Sequence, residues 1–160
     1  MNENSTNPWP LRWFSLFLSF TTVLVVLVYL VDVPNLILNG YTGASEMIKE
    51  YYYDNAIRTF VWDLTFVAIY LSVAMYASAF FKIDPKDHHL QLLVAGVTTA
   101  LLTVMFSVYF NKFGDENNFF TKWFKTVGNG AALYDVVIVG AVYILMVCIH
   151  DNIQQKVLVS

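Results

Sequence analysis

Residues 130–149 read GAALYDVVIVGAVYILMVCI, twenty positions in which Asp135 is the single charged residue. At about 1.5 Å rise per residue, such a run makes a helix about 30 Å long, the thickness of a bilayer's hydrocarbon core. Three more runs lie upstream, at residues 11–31, 57–81 and 90–110. All four are continuously apolar and lack the strict alternation of barrel strands, so they are read as helices. Composition agrees: of 160 residues, 58% are hydrophobic and 13% charged, against about 25% charged in an ordinary soluble domain. The expected fold class is therefore all-α, an integral membrane protein whose four transmembrane helices form an up-down bundle in one domain over residues 1–160.

The flanks of the runs support this reading. The first run follows MNENSTNPWP, which has no basic cluster, and no small-residue cleavage site follows it, so it is expected to be a retained span and not a signal peptide. Pro8 and Pro10 suit a helix lead-in, Trp9 and Trp13 suit headgroup depth, and Pro34 lies just past the far end. The connections are residues 32–56, 82–89 and 111–129. An even number of spans puts the termini and the 82–89 turn on one side. The basic residues there, Arg12, Lys82, Lys86 and Lys156, lie in the shorter segments, which places the termini in the cytoplasm; Lys49, Arg58, Lys112, Lys122 and Lys125 lie opposite. Asn4-Ser5-Thr6 is a glycosylation sequon that would reverse this orientation if occupied, and is read as chance so near a membrane. Residues 45–54 are expected to form an interfacial helix, with Met47, Ile48, Tyr51 and Tyr52 on one face and Glu46, Lys49 and Glu50 on the other. Phe119, Phe120, Trp123 and Phe124 make an aromatic girdle in the other long loop, suited to anchoring or to docking a partner.

Asp63 and Asp135 carry the functional reading. They lie six and five residues into the second and fourth spans, which run in the same direction, so both carboxylates fall at one depth. A charged aspartate at a helix centre costs about 2.5–3.5 kcal/mol on insertion scales, and each should therefore face the bundle interior or a wet cavity. Helical projection places Ala56, Thr59, Tyr70, Ala74, Ala77 and Ser78 on the face of Asp63, and Gly128, Ala131 and Ala132 on the face of Asp135. The third span carries a stripe of Ala95, Thr99, Thr103 and Ser107, and the first carries Ser15, Ser19 and Thr22, the small residues by which membrane helices approach closely. Two readings stand: each carboxyl bonds Thr59, a tyrosine hydroxyl, backbone or water and stabilises packing, or Asp63 and Asp135, with Thr59 and Tyr70, share a proton or hold a cation. Arg58 projects away from Asp63.

Aligning Asp63 with Asp135 sets Tyr51-Tyr52 over Trp123-Phe124 and Trp62 over Tyr134, so the two halves can be read as repeats of one helical hairpin about an axis along the membrane normal. The alternative is that membrane helices behind aromatic-rich interfaces converge on one pattern. Thr126-Val-Gly-Asn-Gly130 is similar to the potassium filter Thr-Val-Gly-Tyr-Gly, but asparagine replaces the tyrosine and Lys122 and Lys125 interrupt an apolar pore helix, so it is read as a turn. Asp84, Asp87, His88 and His89, with His150 and Asp151, are the weak candidates for a divalent metal. Their spacing gives no preferred geometry, and Asp87 is also placed to cap the third helix. No metal site is assigned and no cofactor is expected: no histidine lies deep in a span to ligate haem, and the single cysteine, Cys148, cannot form an intrachain disulfide. No catalytic triad can be assembled, so no enzyme is expected. A net charge of −3 without a basic block argues against nucleic acid.

The segment WFKTVGNGAALYDVVIVG, residues 123–140, resembles small multi-span membrane proteins of the large DNA viruses of algae and protists, in which an aromatic-lysine interfacial stretch leads through small residues to an intramembrane aspartate. The resemblance implies a component of a virion's internal membrane or of its capsid contacts, and brings no catalytic residue with it. The expected function is that of a non-enzymatic structural or scaffolding protein whose partners are lipid, further copies of itself, or other membrane or capsid proteins. The alternative is a small ion channel or proton-coupled transporter built on the paired aspartates.

Overall fold

The computed structural model describes residues 9–159, with side chains described from residue 11 to residue 153. The sequon at Asn4, Pro8, and the side chains of Trp9, Pro10 and Lys156 lie outside the described residues. Among the described residues the chain is all-helical, without strands. Four helices are long and apolar enough to cross a membrane: Leu11–Leu30, Ala56–Phe80, His88–Phe113 and Gly130–Ile153.

The first of these is α1, Trp9–Val23, continued by π-helical turns over Leu24–Leu30. There the backbone bonds reach one residue further than in an α-helix, as in Val31 N–H to the Val26 carbonyl at 2.9 Å. Asp32 then turns the chain in a left-handed conformation, its carboxylate held by the Asn35 side chain at 2.9 Å, and Pro34 opens the short helix α2, Val33–Leu38. This helix falls in a stretch expected to be loop. The stretch expected to form an interfacial helix is helical, as α3, Ala44–Lys49, running into a second π-helical stretch, Glu50–Asp54. Met47, Ile48, Tyr51 and Tyr52 are buried, while Glu46 and Lys49 face outward.

The second span, α4, Ala56–Phe80, ends in a Schellman motif: Lys82 N–H bonds Ala79 and Ile83 N–H bonds Ser78, with Lys82 itself at φ 56°. The third, α5, His88–Phe113, starts two residues earlier than expected because Asp87 caps it, accepting from Leu90 N–H at 3.0 Å. An amphipathic helix, α6, Phe119–Val127, is capped in the same way by Asn118. The last helix, α7, Gly130–Val159, runs past the expected end of its span.

In the bundle α7 packs between α1 and α5, and α5 packs against α4, while α1 and α4 meet only lightly. Phe20, Val28, Val139 and Val142 are fully buried at the centre. The expected stripes turn inward: Ser15 and Ser19 on α1, Ala74 and Ser78 on α4, and Ala95, Thr99 and Thr103 on α5 are all buried. Thr22 is the exception. It is exposed, because at three residues past Ser19 it falls at the edge of the stripe where the helix turns away. Large apolar side chains cover the outside, with Ile57 87% exposed and Tyr76 76% exposed. A surface of that kind suits acyl chains and not water.

Two glycines explain the Gly-Asn-Gly turn without reference to an ion filter. Gly128, at φ 50° and ψ −128°, reverses the chain between α6 and α7 in a conformation that side chains exclude. At Gly130 a Cβ would stand 2.7 Å from Cε2 of Tyr41 and 2.8 Å from Cδ2 of Leu38, so a side chain at the start of α7 would force those two side chains to shift. Replacing Gly128 by alanine is expected to cost about 1–3 kcal/mol and to lower the thermal midpoint followed by circular dichroism in detergent. Gly40, with open space around it, is expected to tolerate alanine within about 0.5 kcal/mol.

Candidate functional site

A helix that buries a carboxylate must also bring it a donor, since an unpaired buried polar group costs about 1–3 kcal/mol and a charge more. Asp63, on the eighth residue of α4, and Asp135, on the sixth of α7, line one cavity of about 60 Å³. Neither is exposed to any large extent. The Tyr51 hydroxyl donates to Oδ1 of Asp63. Thr103 donates to Oδ2 of Asp135 at 2.6 Å, and the Tyr70 hydroxyl lies 3.4 Å from the same threonine oxygen. Between them the Tyr52 and Tyr134 hydroxyls bond one another. The polar wall therefore draws on four elements: the π-helical stretch after α3, and helices α4, α5 and α7.

Each donor is fixed by local structure. Tyr51 lies on the buried face of its short helix, where its ring stacks on Trp123 at 5.2 Å and on Phe119 at 5.0 Å. Thr103 sits on the inward stripe of α5, a turn beyond the buried Thr99. Tyr52 is held from behind, since Tyr29 donates its hydroxyl to the Tyr52 carbonyl at 2.8 Å and so ties the end of the first span to the site. The remaining wall is aromatic. Phe120, Trp123 and Phe124 of α6 line it, with Phe66 of α4 and Phe106 and Phe110 of α5.

Of the four residues singled out in the sequence, Asp63, Asp135 and Tyr70 come together and Thr59 does not. Thr59 is buried, but its hydroxyl turns to backbone carbonyls, of Tyr51 at 2.9 Å and Asn55 at 3.1 Å. The Asn55 carbonyl also accepts the Thr59 N–H at 3.0 Å, so the hydroxyl adds a back-bond at the start of α4 and ties it to the Tyr51 carbonyl of the π-helical stretch. The girdle is corrected too: Trp123 and Phe124 are buried against the aspartates and do not stand at an outer rim. Tyr51, Tyr52 and Tyr134 were not selected as site residues. The available signal was two tyrosines on the apolar face of an interfacial helix, since a buried phenol needs a partner for its hydroxyl.

Among the described residues no basic side chain lines the cavity, and Arg58 is exposed, as its projection required. Asp87, His88 and His89 lie at the start of α5, with Asp87 occupied as a cap and both histidines exposed. Among the described residues no three histidine, cysteine or acidic side chains are grouped to hold a metal. Cys148 is free and exposed. No protein-family model matches the chain, and comparison with curated proteins and with solved structures returns no match.

Burial, and after it the charge of Asp63, holds the Tyr51 phenol well above the usual 10.0 of a tyrosine. Burial and the neighbouring Tyr134 do the same for Tyr52. Above pH 10 the unfolded chain releases protons that the folded chain keeps, so this contribution to stability is complete below pH 10 and is lost as pH rises beyond it. Absorbance titration of phenolate is expected to show these tyrosines ionising only with the loss of helical circular dichroism. Tyr51→Phe and Thr103→Val each remove one donor from a buried carboxylate, and each is expected to cost about 1.5–3 kcal/mol in chemical unfolding.

Proposed function

We propose that the chain is a non-enzymatic, four-span integral membrane protein with an up-down bundle and cytoplasmic termini, acting as a structural scaffold. The observation that carries this reading is how the polar groups of the interior are spent. Asp63 with Tyr51, Asp135 with Thr103, and Tyr52 with Tyr134 each join two different elements, the use of polar contacts by which membrane helices are fixed against one another. The buried hydroxyls of Ser15, Ser19, Ser78, Thr99 and Thr121 have no hydrogen-bond partner among the described residues. Their stripes serve as packing surface. The resemblance of residues 123–140 supports a place in the internal membrane of a large DNA virus, in contact with further copies of the chain or with capsid proteins.

The same reading takes the two halves as repeats of one hairpin. Tyr51 and Trp123, aligned residues, stack on each other, and the aligned aspartates line one cavity. The symmetry is partial, since the third and fourth spans pack closely while the first and second barely touch.

A second reading, a small cation or proton pathway, is favoured by one observation: two carboxylates share a cavity with no basic side chain in its wall among the described residues. Reconstituted protein tests the two. A scaffold is expected to carry no proton or cation flux, with Asp63→Asn and Asp135→Asn lowering thermal stability or self-association. Flux in the wild type that is lost in both variants, with folding intact, would overturn the scaffold.

A further inference from the structure

The first and second spans meet only lightly, and the gap between them is an apolar groove of about 300 Å³. Leu24, Val25 and Tyr29, from the π-helical turns of the first span, form one wall, and Ile57, Phe60 and Val61, from the start of α4, form the other. The hydroxyls of Tyr29 and Thr21 are both spent on backbone carbonyls, so the walls offer hydrocarbon. From Thr21 to Tyr29 the groove follows about 10 Å of helix, most of one leaflet of roughly 15 Å, on the side of the long loops. Its volume is about twice the roughly 150 Å³ that admits a six-carbon ring, which suits one acyl chain of about twelve carbons.

A cation stands beside the groove. Arg58, the third residue of α4, follows Ile57 and is exposed. Its side chain makes no ion pair, hydrogen bond or ring contact among the described residues, and Asp54, exposed one turn earlier, does not pair with it. Exposed Tyr53 and Trp62 mark this level as that of lipid headgroups. The start of α4 adds positive charge of its own, since Asn55 supplies no side-chain cap and the helix dipole favours an anion there. A second copy of the chain, packed by its spans, could not supply that anion: runs 11–31 and 90–110 contain no acid, and the acids of the other two, Asp63 and Asp135, line the interior cavity. A phospholipid supplies both halves of the match, a tail for the groove and a phosphate that a guanidinium can bond through two N–H groups. We propose that the gap between the first span and α4 binds one phospholipid of the loop-side leaflet, by its phosphate at Arg58 and by one acyl chain in the groove. The proposal rests on the four-span membrane reading and goes beyond it.

The test is native mass spectrometry of the purified protein in detergent, with dioleoyl phosphatidylglycerol, dioleoylglycerol or inorganic phosphate added, alongside thermal unfolding in the same mixtures. One phosphatidylglycerol per chain is expected to stay bound and to raise the midpoint by a few degrees. Dioleoylglycerol, which lacks the phosphate, and inorganic phosphate, which lacks the chain, are expected to do neither. Arg58→Gln, and Ala56→Leu, which narrows the groove, are each expected to weaken binding about tenfold, while Lys82→Gln, in the turn at the opposite side, retains it. The comparison among additives needs no variant, so a folding failure in Ala56→Leu leaves the result readable. Equal retention of dioleoylglycerol, equal loss in Lys82→Gln and Arg58→Gln, or stabilisation by inorganic phosphate alone would overturn the proposal. Disulfide-linked dimers through Ile57→Cys in a Cys148→Ser chain would overturn it too, and would seat a second copy in the groove. A chain that stays in solution without detergent would defeat the four-span reading itself, a result separate from all of these.

Discussion

Two carboxyl groups in an aromatic interior, with no basic side chain lining their cavity among the described residues, set the terms for the rest of the bundle. Each must be met by a hydroxyl from another element, and those hydroxyls must arrive on backbone that is itself fixed. The tie from Tyr29 to the Tyr52 carbonyl and the glycine turn before α7 each position a residue of this one cluster. The packing order α1, α7, α5, α4 follows the same logic, because it places α7 where Asp135 reaches Thr103.

The two halves solve the same problem with different side chains. In the first, Tyr51 precedes Asp63 on an interfacial helix and supplies its donor directly. In the second, the aligned positions are Trp123 and Phe124, which carry no hydroxyl, and Asp135 is met instead by a threonine of a neighbouring span. The exchange has a counterpart at Tyr134, which stands where the first half has Trp62 and bonds Tyr52. The hydroxyls are redistributed across the cavity and do not repeat within each half.

The spans and the inward turn of both aspartates were legible in the sequence because length, hydropathy and helical period act locally. The stripe of Ala95, Thr99 and Thr103 was legible for the same reason. What periodicity cannot carry is the identity of a partner on another helix. Thr59 shares the face of Asp63, yet bonds backbone because an irregular turn lies closer than the carboxylate. The π-helical turns were equally hidden, since they alter the path of the first span and leave its hydropathy unchanged. The aromatic run 119–124 has the same spacing whether it rims a membrane or folds down over a cavity, and only the tertiary fold decides between them.

The order of these residues along the chain bears on biogenesis. Tyr51 is made before Asp63, and Thr103 before Asp135, so in synthesis from the amino end each acid's partner precedes it. The sealing rings of α6 come last but one, ahead of the helix whose arrival completes the enclosure. Vectorial synthesis would thus never leave either acidic group waiting for a partner not yet translated.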